Sequence, residues 1–247
     1  MRKAAVVFGT LVLVILGLSS CSKKTADPGA AGQKAGEASG GGAVSGAPSE
    51  ARGRGWLEVQ GADFGGHEIR KAGTAEKAAE VNAQNSSVPL EAGRYDVVFG
   101  QSLWKDVEVK AGETTRLVPG GITLVGASLK GHEVAAADTG VVQGILSSLK
   151  NSLTVVPGRY LVKFGPLDWP AEVAAGQTTT LKAGIVEVKG AHFQGHPIQT
   201  AGGVAVGDVS NIQSSLPLPP GDYVIEVDGQ KLPFTLKEGE RRTFERK

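Results

Sequence analysis

The sequence predicts an all-β protein made of three tandem small antiparallel β-sandwich repeats of about 64 residues each. Three observations predict it. The chain resembles itself at that fixed period, apolar residues alternate strictly after each recurring turn, and its 36 glycines accompany few helix-favouring runs.

The period is legible at four points. The units open with Trp56–Phe64, Ile122–Leu129 and Ile185–Phe193, and each soon reaches a Gly-His pair at His67, His132 and His196. A segment running from serine to tyrosine follows, ending at Tyr95, Tyr160 and Tyr223, so all three tyrosines of the chain share one register. The units close on Gly112-Glu113-Thr114, Gly176-Gln177-Thr178 and Gly239-Glu240-Arg241.

Side chains at i, i+2 and i+4 of a strand share a face. Tyr95/Val97/Phe99, Tyr160/Val162/Phe164 and Tyr223/Ile225/Val227 are therefore expected to face inward, with Asp96, Lys163 and Glu226 outward. Gly93, Gly158 and Gly221 precede these strands and read as tight turns needing unusual backbone angles. A further strand carries Val107/Val109, Val173 or Phe234/Leu236, with Trp104, Trp169 and Leu232 at matching places ahead of it. This makes about six short strands per unit, antiparallel by their short connections. The units are bounded at 56–120, 121–183 and 184–247. The alternative architecture is a single β-trefoil-like closed array. Pro119-Gly120-Gly121 and Ala183-Gly184 are such short connections that neighbouring units should touch. Gly73–Asn85, Ala137–Leu149 and Gly202–Ile212 read as variable loops, with a helical turn over Ala75–Val81 as an option. Such loops on a repeated scaffold are where recognition usually lies.

The first 55 residues read differently. Arg2 and Lys3 precede an apolar stretch, Ala4–Gly17, whose helix would span about 21 Å against a hydrocarbon core of about 30 Å. Residues 1–20 therefore fit a secretory signal. Leu18-Ser19-Ser20-Cys21 resembles the bacterial lipobox, and the resemblance implies acylation of Cys21, with palmitate-type chains holding the mature protein to a membrane. Ser22, rather than aspartate, after the cysteine matches the pattern of outer-membrane lipoproteins. Ser22–Gly55 is mostly Gly, Ala, Ser and Lys, too poor in large apolar residues to order itself, and reads as a flexible tether. As a coil its reach is about 30–35 Å.

Charge and cysteine content narrow the function classes. Residues 56–247 carry 19 basic and 22 acidic side chains, scattered, with no basic stripe of the kind nucleic acid requires. With one cysteine, neither an intramolecular disulfide nor a thiolate-rich metal site can form.

The Gly-His elements, Leu218-Pro-Pro-Gly-Asp-Tyr223 with Ile225 and Val227, and the endings Val109-Lys-Ala-Gly-Glu-Thr114 and Val173-Ala-Ala-Gly-Gln-Thr178 resemble PEGA and carboxypeptidase-regulatory-like (transthyretin-like) repeats. Similar repeats occur on bacterial von Willebrand factor A proteins. The resemblance covers residues 56–247 and implies non-catalytic surface or accessory modules without cofactors. Asp208-Val-Ser210 is only a fragment of the metal motif of the von Willebrand domain itself.

His67, His132 and His196 are the only repeated candidates for a metal site, since neutral imidazole is a good zinc ligand. The competing reading places each in a hairpin, making a turn hydrogen bond. No nucleophile elbow, His-Glu-x-x-His motif or phosphate loop is present. Trp104 and Trp169 read either as exposed anchors for a partner or as caps on their sandwiches. The expected function is a membrane-anchored structural or binding module that meets a protein or a cell-wall polysaccharide. The alternatives are a metal-binding or hydrolytic envelope enzyme and an accessory subunit of a secretion or chaperone system.

Overall fold

The computed structural model describes residues 53–246. The expected signal, Cys21 and the expected tether up to Arg52 lie outside the described residues. Among the described residues there are strands and turns but no helix, and hence no helix able to cross a membrane.

The strands fall into three units of seven. The first holds β1 (Arg54–Val59), β2 (His67–Lys71), β3 (Lys77–Val81), β4 (Ser87–Glu91), β5 (Gly93–Phe99), β6 (Ser102–Val109) and β7 (Thr114–Leu117). The second holds β8 (Gly120–Val125), β9 (His132–Ala136), β10 (Val142–Leu146), β11 (Ser152–Val155), β12 (Gly158–Phe164), β13 (Leu167–Val173) and β14 (Thr178–Lys182). The third holds β15 (Gly184–Lys189), β16 (His196–Thr200), β17 (Ala205–Val209), β18 (Ser215–Leu218), β19 (Gly221–Val227), β20 (Gln230–Leu236) and β21 (Arg241–Glu245).

Each unit deals its strands into two sheets in the same order. The sheets are β4-β1-β7 with β3-β2-β5-β6, β11-β8-β14 with β10-β9-β12-β13, and β18-β15-β21 with β17-β16-β19-β20. Each pair encloses its own core, around Ile69 and Val97, Val134 and Val162, and Ile198 and Ile225. A trefoil shares one core, so the closed array is excluded and three tandem sandwiches stand.

Two expectations about the strands need correction. There are seven strands per unit, because β3, β10 and β17 form in stretches that read as loops, and Lys77–Val81 is strand rather than helical turn. These are edge strands in which only the last residue, Val81, Leu146 or Val209, is buried, so little alternation is written in the sequence. The strands are also not all antiparallel. The first and last strands of each unit pair in parallel: β1 with β7, β8 with β14, and β15 with β21. A chain that enters along one strand and leaves along its parallel neighbour exits at the opposite end of the sandwich. That is why Val118-Pro119 and Ala183 suffice to start the next unit.

β1 begins at Arg54, which pairs with Glu91, so the end of the predicted tether is already sheet. Gly55 lets β1 lie against β6; a Cβ there would fall 2.1 Å from the Lys110 carbonyl oxygen. Gly184 plays the same part in the third unit, where a Cβ would meet the Leu236 side chain at 2.5 Å.

The inward set holds without exception: Tyr95, Val97, Phe99 and their counterparts are all buried. Asp96 departs from expectation and is buried as well. Its carboxylate accepts the N–H groups of Gly73 and Asp106, each at 2.9 Å. The β5–β6 ladder shifts register beyond Tyr95, and Asp106 adopts a left-handed φ of 55°. A bulge frees backbone donors, and Asp96 satisfies one of them.

Gly93, Gly158 and Gly221 are not left-handed, contrary to expectation. They lie beside the tyrosine rings, which fold back so that each hydroxyl donates to the carbonyl four residues earlier. These bonds are 2.8 Å to Glu91, 2.5 Å to Val156 and 2.8 Å to Pro219. Burial pushes the Tyr223 hydroxyl up to about 12 and raises Tyr95 and Tyr160 as well. A folded pKa above the unfolded value of about 10 favours the protonated fold. This contribution is complete below pH 10 and is lost as the pH climbs toward 12. Tyr223→Phe is expected to flatten the alkaline fall in Tm while costing about 1 kcal/mol at neutral pH, as a pH series of thermal melts would show.

Neighbouring units touch, as their short links require. The Ser102 hydroxyl hydrogen-bonds the Gln143 side-chain oxygen across the first junction, and Val156 packs against the core of the first unit. A cleft of about 500 Å³ lies there, lined among others by Lys105, Asp138 and Arg159. At the second junction Leu167 packs on both adjoining cores, and Gly239 N–H donates to the Lys182 carbonyl at 2.8 Å.

Candidate functional site: the loop ends of the three sandwiches

Each repeated histidine opens the second strand of its unit and is buried. The glycine before it is left-handed, with φ of 79°, 82° and 78° at Gly66, Gly131 and Gly195. There a Cβ would also run into Glu80, Ile145 or Asp208 on the neighbouring strand, so glycine is required twice over. The Nε2 of His67 accepts the Asp63 N–H at 3.3 Å, and that of His132 accepts the Ser128 N–H at 3.2 Å. The Nδ1 of His132 donates to the Lys163 carbonyl at 3.0 Å, and that of His196 to the Glu226 carbonyl at 3.2 Å. Burial lowers the pKa of His132, opposed by its bond to Lys163.

The rings pack on phenylalanine where one is present: His67 stacks on Phe99 at 4.3 Å, and His132 lies tilted against Phe164 at 3.9 Å between centroids. In the third unit Val227 stands in the phenylalanine position, and His192 lies against His196 at 4.4 Å. The structure does not bring His67, His132 and His196 together, because each sits in a separate sandwich. Among the described residues no three His, Cys, Asp or Glu side chains gather so as to hold a metal.

The histidines instead pin a surface feature. His67 and His132 hold the loop between their unit's first two strands through those Nε2 bonds, and His196 packs its ring against His192 of that loop. In every unit the loop is bonded to the one between the third and fourth strands. Ala83 N–H donates to the Asp63 carbonyl at 2.9 Å, Ser148 to Ser128 at 3.1 Å, and Asn211 to His192 at 3.3 Å. From the first loop project Phe64, Leu129 and Phe193, which are 84%, 75% and 73% exposed. From the second project Leu149 and Ile212, at 87% and 76%, and Gln84 at the matching place in unit one.

Phe64, Leu129 and Phe193 end the recurring unit-opening segments, and the structure turns them out to solvent. β1, β8 and β15 end at Val59, Val125 and Lys189, and left-handed Gly61, Gly126 and Gly190 follow. Those recurring glycines were the available signal, because they interrupt the period-two alternation. The tryptophans are not loop-end anchors. Trp104 stands edge-on to Phe99 at 6.4 Å and Trp169 lies 5.8 Å from Phe164, both half-buried and capping their cores; Leu232 packs likewise in the third unit.

The fold and these loop ends define a protein of tandem β-sandwich repeats. No protein-family model matches the chain, and no curated protein matches it. Among solved structures it is similar to the Bacillus anthracis TIE protein, at 17% identity over 78% of this chain with a TM-score of 0.22. The chain spans 50% of the length of that structure. A likeness that loose carries no argument about function.

Proposed function

We propose that this protein is a lipid-anchored, non-catalytic binding module of the bacterial envelope. Acyl chains on Cys21 hold it to a membrane, the outer membrane by the Ser22 pattern. Sandwiches of the PEGA or carboxypeptidase-regulatory-like kind are presented to another envelope component. The observation that carries the reading is the loop end repeated three times. A single exposed apolar side chain is ordinary in a soluble protein, but here the same site exposes a large one in every unit. Folding leaves these side chains out of all three cores, and contact with a partner is the role that remains for them. The lipobox, with its charged head and apolar stretch in register, supports the anchor.

The test is fractionation and photocrosslinking in intact cells, with a photoreactive residue at Phe64, Leu129 or Phe193. The wild type should carry palmitate label and stay with membranes through a high-salt wash, whereas Cys21→Ser should be unlabelled and released by that wash. Crosslinks should form from the three loop ends and not from Glu108 on β6. Full retention of Cys21→Ser through the high-salt wash would remove the anchor, and adducts from Glu108 alone would remove the contact surface.

A further inference from the structure

The three loop ends are copies of one geometry with different side chains, and the differences single out the middle one. The position whose side chain covers the left-handed glycine is Glu80 in unit one and Asp208 in unit three, but Ile145 in unit two. The registers make the three equivalent: Glu80 lies across from Glu68, Ile145 from Glu133, and Asp208 from Pro197. Ile145 is 52% exposed, so unit two presents three large aliphatic side chains at this end, Leu129, Leu149 and Ile145.

Lysine follows both leucines, as Lys130 and Lys150, and both are exposed. Neither pairs with a carboxylate among the described residues. The loops 126–131 and 147–151 contain no acidic residue; Glu133 lies on β9 across from Ile145, and Asp168 at the same end is paired with Lys163. The loop end of unit one, by contrast, carries Asp63 and Glu80.

We propose that the loop end of the second sandwich docks on a bilayer surface rich in anionic phospholipid. Leu129, Leu149 and Ile145 enter the headgroup region while Lys130 and Lys150 meet the phosphates. This names the partner of the contact surface proposed above and rests on that reading. Two features of the site select lipid over protein. Leu129 and Leu149 stand on two adjoining loops with Ile145 beside them on β10, all three exposed, so they can penetrate a soft surface. Each loop also carries its own cation immediately beside the apolar residue, the arrangement of an interfacial anchor. A lysine near such a surface raises affinity roughly fivefold. A chain already tethered to a membrane needs little more, because its effective concentration there is high.

The test uses residues 22–247, which keep the linker and every sandwich and lack only the signal and the lipid-bearing cysteine. Binding is measured by flotation with vesicles of equal parts phosphatidylglycerol and phosphatidylcholine, and with phosphatidylcholine alone. The protein should float with the anionic vesicles, weaken as salt is raised, and bind phosphatidylcholine poorly. Lys130→Glu with Lys150→Glu should lower the affinity at least about tenfold, as should Leu129→Ser with Leu149→Ser. Phe193→Ser with Ile212→Ser, in the third sandwich, should leave it unchanged. All these side chains are exposed, and unchanged circular dichroism would show that the variants fold. Failure to float with anionic vesicles, equal binding to both vesicle types, or indifference to both unit-two double variants would overturn the proposal. If the vesicles fail while Leu129 still crosslinks to an envelope protein in cells, only the lipid assignment falls. If both fail, the contact surface falls with it.

Discussion

Ile198→Ala is expected to lower the stability of the third sandwich by about 3–4 kcal/mol. Ile198 is in effect fully buried on β16, an inner strand of its sheet, directly across from the equally buried Ile225. Truncating it removes three carbons from a site enclosed by Val186, Val209 and Tyr223. A unit of this size buries only about 60% of its unfolded surface, so the loss is a large part of what holds it. The damage should remain in one unit, since the three cores are separate. The expected thermal melt has an early step worth one sandwich and a later step close to the wild-type transition. The early step should be matched by loss of amide protection in β15–β21 alone. Ile198→Leu should cost under about 1.5 kcal/mol. A single transition that moves as a whole would show that the junction at Leu167 couples the units more tightly than their separate cores imply.

Asp96→Ala is expected to cost about 2–3 kcal/mol, confined to the first sandwich. The substitution leaves the N–H groups of Gly73 and Asp106 without their acceptor, and Asp106 is held in a left-handed conformation that the bond helps to maintain. Asp96→Asn, which keeps one acceptor oxygen, should recover part of the loss. The corresponding residues of the other units, Leu161 and Val224, belong to ladders with continuous register and accept no such bonds. Leu161→Ala and Val224→Ala should therefore change little beyond their own half-buried area. Hydrogen exchange at Gly73 and Asp106 is the direct measurement. Protection that survives in Asp96→Ala would mean that the bulge is held by the ladder alone.

Position along the strands explains what sequence reading could and could not reach at these sites. Ile225, the partner of Ile198, was legible because a core strand alternates at a period of two, which placed it with Tyr223 and Val227 on an inner face. Asp96 was misread as outward for the same reason: alternation assumes a regular ladder, and one extra residue in β6 breaks it. The edge strands β3, β10 and β17 escaped because each buries only its final residue. The histidines were visible as a repeat, yet their role depended on which carbonyls and rings lay opposite them. His132 meets Lys163 and Phe164, some thirty residues away.

The sequence by itself determined that this protein is a thrice-repeated all-β chain, with its strand faces marked by Tyr-x-Val-x-Phe alternation. Such features are local, written within a few residues of one another, and repetition makes them unmistakable. Only the tertiary structure decided that the first and last strands of each unit run parallel, that three cores form rather than one, and that Phe64, Leu129 and Phe193 point into solvent. Those outcomes depend on which distant backbones find each other and on what space remains once they have. An apolar residue at a strand's end reads the same on paper whether a facing sheet covers it or a left-handed glycine turns it out.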